Sequence, residues 1–285
     1  MNRPGEKDIG SLITLLEDED QKIVATISGH IVNIGAAAVP YLREATATQP
    51  TLAHRIDPVV EEIRVNELGS AFLGVSKHGD TTTGLEVGAF LIAQFGSPNS
   101  DIHAYTSKLD AMAKEARERI DQQSSSKDIL KAFNQYFFVE QGFHGNSTNY
   151  EEAENSFLDR IIDRRTGIPI GLSVLYILIG SRIGLPLHGV GTPGHFLVKY
   201  DAKNYKIFVD CFNNGTLLTD KDCARFLIRS GHGFKASYLH RSPVRSILTR
   251  MLRNLIPLYE TKEQPAKAEK LKHFIKLLQH RTSHN

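Results

Sequence analysis

Apolar residues along this chain fall into distinct patterns, and each predicts a different kind of element. Residues 171–183, GLSVLYILIGSRI, are apolar on nearly every side of a helical wheel, which predicts a central helix buried all round. Pro169 suits its first turn, and Gly184 with Pro186 suits its end. Two β-branched and aromatic runs, 196–200 and 205–209, then flank the polar segment DAKN, the signature of a β-hairpin. Elsewhere the period is helical: 9–16, 22–34 and 36–45 around the acidic break EDED, then 85–95, 102–120, 129–139, 157–164 (capped by Asn155-Ser156) and 220–228. The stretches 244–259 and 265–278 form a helical pair joined by TKEQ. The aromatic stripe Phe133, Tyr136, Phe137 and Phe138 reads as core, residues 122–126 as a linker, and GFHGNSTNY at 142–150 as an irregular loop.

The hairpin carries the chemistry. A two-residue loop at Ala202-Lys203 and a four-residue loop give one register, with Tyr200 opposite Tyr205, Val198 opposite Ile207, Phe196 opposite Val209 and His195 opposite Asp210. Phe196, Val198 and Tyr200 then share one face, and His195 shares the other with Asp210, within reach of an imidazole–carboxylate hydrogen bond. In this register Lys199 falls opposite Lys206. Two readings are open: Asp210 orients His195 so that its other nitrogen acts as a base, or the two form an ordinary cross-strand charge pair. The Pro193-Gly194 turn sets the imidazole at a strand mouth beside a loop.

Composition narrows the classes. The 285 residues suffice for one large or two smaller domains, and a net charge of +2 gives no general case for nucleic acid. Two cysteines suggest no disulfide framework and a reducing, cytoplasmic setting. The polar start MNRPGEKD lacks a signal-peptide core, and no membrane span is expected. No phosphate loop of known form and no cofactor is indicated, and no spacing rule supports a metal site from His188, His195 and Asp210. Arg160, Arg164 and Arg165 read either as an anion-binding group or as a solvated helix end, and the basic stretch from Arg241 onward as a solvated face or a contact for an acidic partner.

The order helix, Gly184-Leu185-Pro186, His195 in GHFLVKY and Asp210 in FVDCF resembles the transglutaminase-like superfamily. The phrases GFHGNSTNY, ENSFLDRIIDRRTGIPIGLSVLYILIGSRIGLP, GVGTPGHFLVKY and the NNG after Asp210 are similar to its SirB-type branch. LLEDEDQKIVATISGHIVNIGAAAVPYL resembles one HEAT-type repeat, and LRNLIPLYETKEQPAKAEKLKHFIKLL a tetratricopeptide unit. The resemblance implies an α+β fold with a papain/transglutaminase-like core, a central buried helix packed on a small antiparallel sheet, flanked by helical segments. The implied divisions are 1–66 (HEAT-like), 67–124 (connecting), 125–235 (core) and 236–285 (tetratricopeptide-like). It also implies a cleft in which His144, Asn146, Tyr150 and Asn155 join His195 and Asp210 as ligand-binding residues.

Enzymes of the superfamily carry a cysteine at the first turn of the central helix, where the helix end lowers its pKa. Here that place falls near Pro169-Ile170. Alternation turns Cys211 to the apolar face, Cys223 reads as a small core hydrophobe, and Ser173 is the nearest candidate nucleophile. The expected function is therefore a non-catalytic or regulatory protein that binds a peptide, protein or small molecule in the cleft, without nucleic acid, membrane or cofactor. The alternatives are an acyl-transfer or amide-hydrolysing enzyme using His195, Asp210 and Ser173, and a scaffold meeting a protein partner through its outer helices.

Overall fold

The structure, a computed structural model, describes residues 6–121 and 123–279; the chain termini and Gln122 of the expected linker lie outside the described residues. The chain divides into two compact units, Met1–Ala71 and Phe72–Asn285.

The first unit is built from α1 (Glu6–Leu15), α2 (Gln21–Ile34), α3 (Val39–Thr48) and the start of α4 (Ala53–Val75). The acidic break works as a helix start: the Asp20 side chain accepts from Lys22 N at 2.8 Å. Arg55 Nη1 closes the same turn by donating to Leu16 O and Asp18 O, each at 2.6 Å. Leu16, Ile31, Leu42, Ile56 and Ile63 make a core of their own. Within the run Gln21–Thr48, an 18-residue window with mean hydropathy 1.5 passes for a membrane-crossing segment by length and composition alone, where none is expected from the sequence. A tight turn at Gly35–Ala38 splits the run into helices of 14 and 10 residues, each short of the ~20 residues that an unbroken spanning helix takes.

The second unit begins with α5 (Thr82–Gly96), α6 (Ile102–Arg119) and α7 (Ser126–Asn134). After Asn134 the helix widens into a π turn, Gln135–Glu140, in which Gln141 N bonds to Tyr136 O. Two short parallel strands, β1 (His144–Gly145) and β2 (Thr166–Gly167), bracket α8 (Leu158–Arg164). The central helix α9 (Pro169–Arg182) follows, buried from Pro169 through Gly180 and closed by Gly184 at φ +83°. A four-stranded antiparallel sheet comes next: β3 (Leu187–Thr192), β4 (His195–Ala202), β5 (Tyr205–Asp210) and β6 (Thr216–Leu218), in that spatial order. Then come α10 (Asp220–Arg229), started by a Thr219/Asp222 capping box, and the helical pair α11 (Val244–Thr261) and α12 (Pro265–Gln279). The expected α+β core, a buried helix on a small antiparallel sheet, is the one observed.

One expectation fails at α8. Its N-cap is Phe157, which has no side-chain cap bond; Asn155 and Ser156 lie in a preceding 3₁₀ turn.

Candidate functional site

The hairpin register differs by two residues from the one read off the sequence. Val198 pairs with Val209, Tyr200 with Ile207 and Ala202 with Tyr205, so the two-residue loop is Lys203-Asn204. The observed register sets Lys206 opposite Asp201, 2.9 Å away as an ion pair, in place of opposite Lys199. A slip of two keeps every side chain on its face, because strand side chains alternate with period two. His195 and Asp210 are therefore diagonal rather than directly opposite, and still meet: His195 Nε2 lies 2.9 Å from Asp210 Oδ2.

Asp210 accepts every donor aimed at it. Besides His195, its Oδ1 takes Phe212 N (3.1 Å) and Asn213 N (3.2 Å), and its Oδ2 takes Asn213 Nδ2 (2.8 Å). Burial alone would push the carboxyl's pKa up. The bonds from His195 and Asn213 outweigh that and hold it below the usual carboxylate range. An ionised carboxylate only accepts, so His195 Nε2 is the donor of this bond, and in the neutral imidazole Nδ1 keeps its lone pair for a ligand.

The turn that presents His195 is clamped from the far end of the chain. Arg250 on α11 donates to Thr192 O and to His195 O, both at 2.9 Å, and its guanidinium lies over the Phe196 ring at 5.6 Å. Thr192 Oγ1 also donates to His195 O, at 2.9 Å. Arg250→Ala is expected to lower stability by about 2 kcal/mol, since two partly buried carbonyls lose a charged donor. Arg250→Lys should recover less than half of that, because an ammonium lacks the planar fork. Urea midpoints check both.

A cavity of about 390 Å³ opens on the His195–Asp210 face, between the sheet and α10. Thr192, Asn213 and Thr216 join the pair at its polar end, and Leu197, Leu218, Cys223, Phe226 and Leu227 line the rest. Cys223 is thus both the core hydrophobe expected from sequence, clustered with Val190, Leu197 and Phe208, and a wall of the His195 cavity. Its thiol is pushed up to about 12 by burial and then by Asp220 and Asp222, so it stays protonated at neutral pH.

Among the described residues, no serine hydroxyl or cysteine thiol is hydrogen-bonded to the His195 ring. Pro169 and Ile170 occupy the first turn of α9. Ser173 is fully buried and lies against the buried Cys211 thiol, whose pKa burial raises well above normal and whose contact with Ser173 lowers it in part. Cys211 follows Asp210 directly, and alternation turns it away from the pair. Ser173 Oγ makes no hydrogen bond to the His195 imidazole and does not line its cavity.

The loop 142–150 is placed beside the pair rather than in the cavity. His144 is exposed and its Nδ1 sits 2.9 Å from Gly142 O. Tyr150 is exposed and packs edge-on against Phe212 (5.9 Å), which in turn packs edge-on against His195 (6.4 Å). Asn155 is fully buried: its Nδ2 donates to Asn149 O (2.6 Å) and its Oδ1 accepts from Asn146 Nδ2 (3.0 Å), while Asn146 Oδ1 accepts from Asn149 N. Asn146 and Asn155 are thus spent on the loop's own backbone, and none of these four residues lines the cavity with His195. Arg164 is paired with Glu152 and Glu154, and His188 sits 3.5 Å from Asp201. Among the described residues, no three His, Cys, Asp or Glu side chains are grouped to hold a metal ion.

The residues missed from sequence are Asn213, Arg250 and the α10 wall. Asn213 had a signal: an Asp followed by Cys-Phe-Asn-Asn-Gly invites an Asx turn, which is what Asp210 makes. Arg250, far along the chain, had none.

A family profile described as transglutaminase-like superfamily matches residues 103–253. UPF0162 proteins of Xylella fastidiosa strains 9a5c and Temecula1 are each 34% identical over 187 residues, covering 63% of this chain and 66% of theirs, just under two thirds. F-box only protein 21 of Pongo abelii is 35% identical over 139 residues, 46% of this chain and 22% of that one. No solved structure matches. The profile match covers the central helix, the whole sheet and Arg250, more than half of the chain, and the chain belongs to the transglutaminase-like superfamily.

Proposed function

We propose that this protein binds a peptide, protein or small molecule in the cleft around His195 and Asp210 without turning it over. One observation carries the reading: the His–Asp pair is assembled at 2.9 Å while the start of α9 holds Pro169 and Ile170 and the thiol sharing the cavity stays protonated. The SirB-type kinship is supported by the phrases flanking the pair, and the tetratricopeptide-like reading by the helical pair α11–α12. Two free, buried cysteines suit a cytoplasmic setting, and the absence of any large net charge disfavours nucleic acid as a partner.

The experiment pairs turnover with capture. Wild type is expected to leave peptide amide, thioester and amine-transfer substrates unchanged, while His195→Ala loses a ligand or partner that wild type retains. Turnover abolished by His195→Ala would replace this reading with an enzyme. Identical partner sets for both proteins would favour a scaffold acting through the outer helices.

A further inference from the structure

The cavity behind His195 is selective in its chemistry. Asp210 has its four donors already, so it offers a ligand nothing further. What remains at the polar end are acceptors, the Nδ1 lone pair of a neutral His195 ring and the side-chain oxygens of Thr192, Asn213 and Thr216, and these call for an N–H or O–H donor. Among the described residues, no Lys or Arg lines the cavity, and the Asp210 carboxylate stands at its edge; a carboxylate or phosphate would be repelled there with nothing to pair it. The remaining wall is Leu, Phe and Cys, so the body of the ligand must be apolar. A volume of about 390 Å³ lies at the low end of small-molecule sites and suits one ring system rather than a length of chain. At the mouth, Phe226 is 42% exposed, with its ring 5.7 Å from the His195 ring at 52°, an aromatic surface left open for a planar group.

Building on the cleft reading above, we propose that this cavity takes an uncharged aromatic ring bearing a single N–H or O–H, an indole- or phenol-like group, which donates to His195 Nδ1 and packs against Phe226 and Leu227. That chemistry occurs in free ring compounds and in an exposed tryptophan or tyrosine side chain of a partner.

The chain contains no tryptophan, so the fluorescence of an indole probe reports its own occupancy. Indole and the capped peptide Gly-Trp-Gly are titrated into the full chain, with 1-methylindole and indole-3-carboxylate as comparators. At least one of the first two is expected to bind. Binding by indole alone identifies a free ring compound, and tighter binding by the peptide identifies a side chain. 1-Methylindole should bind about tenfold more weakly than indole, the effect of an unmade hydrogen bond at a buried acceptor. His195→Ala should erase that difference, and Phe226→Ala, at an exposed position that a fold tolerates, should weaken both. Equal binding of indole and 1-methylindole, tighter binding of the carboxylate, or no binding of indole and peptide at millimolar concentration overturns the proposal. A ligand lost in His195→Ala but not displaced by indole overturns this inference and leaves the cleft reading standing. Absence of any His195-dependent ligand removes both.

Discussion

Asp210→Ala is expected to cost about 3–5 kcal/mol, because one buried acceptor serves four hydrogen bonds and a donor left unpaired away from water costs about 1–3 kcal/mol. The figure follows from what the substitution strands. His195 Nε2, Phe212 N, Asn213 N and Asn213 Nδ2 all lose the acceptor at the end of β5, and water, which reaches the exposed Asn213, does not fully replace it for the largely buried His195 ring. Asp210→Asn behaves differently. Its carbonyl still accepts from the two backbone N–H groups, so the fold should lose only about 1–2 kcal/mol. Its amide, however, presents N–H to His195 and forces the proton onto Nδ1, turning an acceptor site into a donor site. Nitrogen NMR of the His195 ring reads the tautomer, and urea midpoints read the stability. Acid gives a further check. The folded pKa of Asp210 lies below its unfolded value of about 3.9, so its stabilisation is complete above that value and is lost as pH falls through the folded pKa. The stability gap between wild type and Asp210→Asn should therefore hold from neutral pH to about 5 and close at more acid pH. A gap unchanged down to pH 2 would mean that the carboxylate is not the anchor described.

Sequence pattern resolved those parts of the fold that depend on local periodicity. The all-apolar wheel of α9 and the Pro169 and Gly184 boundaries follow from residues within a few positions of one another. The His195–Asp210 meeting was legible for a subtler reason: face assignment depends on parity alone, and the register error was even. An odd error would have separated them. The exact register was not legible, because DAKN accommodates a two-residue loop at either of two places and only the Asp201–Lys206 pair distinguishes them. Long-range partners left no local trace. Nothing near His195 announces Arg250, and nothing in α10 announces that Cys223 and Phe226 wall the same cavity. Asn155 misled for the opposite reason. An Asn before an apolar run looks like a helix cap, yet its side chain is buried holding the loop 146–150.

Phe137→Ala is the core substitution expected to do most damage, about 3–5 kcal/mol against a usual domain stability of about 5–15. The aromatic run 136–138 buries three consecutive residues, which a regular helix on a surface cannot do; the π turn Gln135–Glu140 rotates all of them inward. Phe137 stands at the centre. Its ring stacks on Phe143 at 4.5 Å and meets Phe138 at 4.9 Å and Tyr176 of α9 at 5.1 Å. Phe143 leads into the loop whose Gly145 packs on Phe212, the ring against His195. Tyr176 in turn donates to Asn134 Oδ1 at 2.6 Å, and Asn134 Nδ2 donates to Gly215 O at 3.0 Å, holding the turn beyond Asp210. Removing the ring therefore loosens both walls that frame the pair, and Phe137→Ala should lose ligand retention as well as stability. Phe137→Leu keeps most of the volume and should cost less than half as much. If Phe137→Ala shifts the urea midpoint no more than Phe137→Leu does, the aromatic cluster is not what fixes α9 against the site.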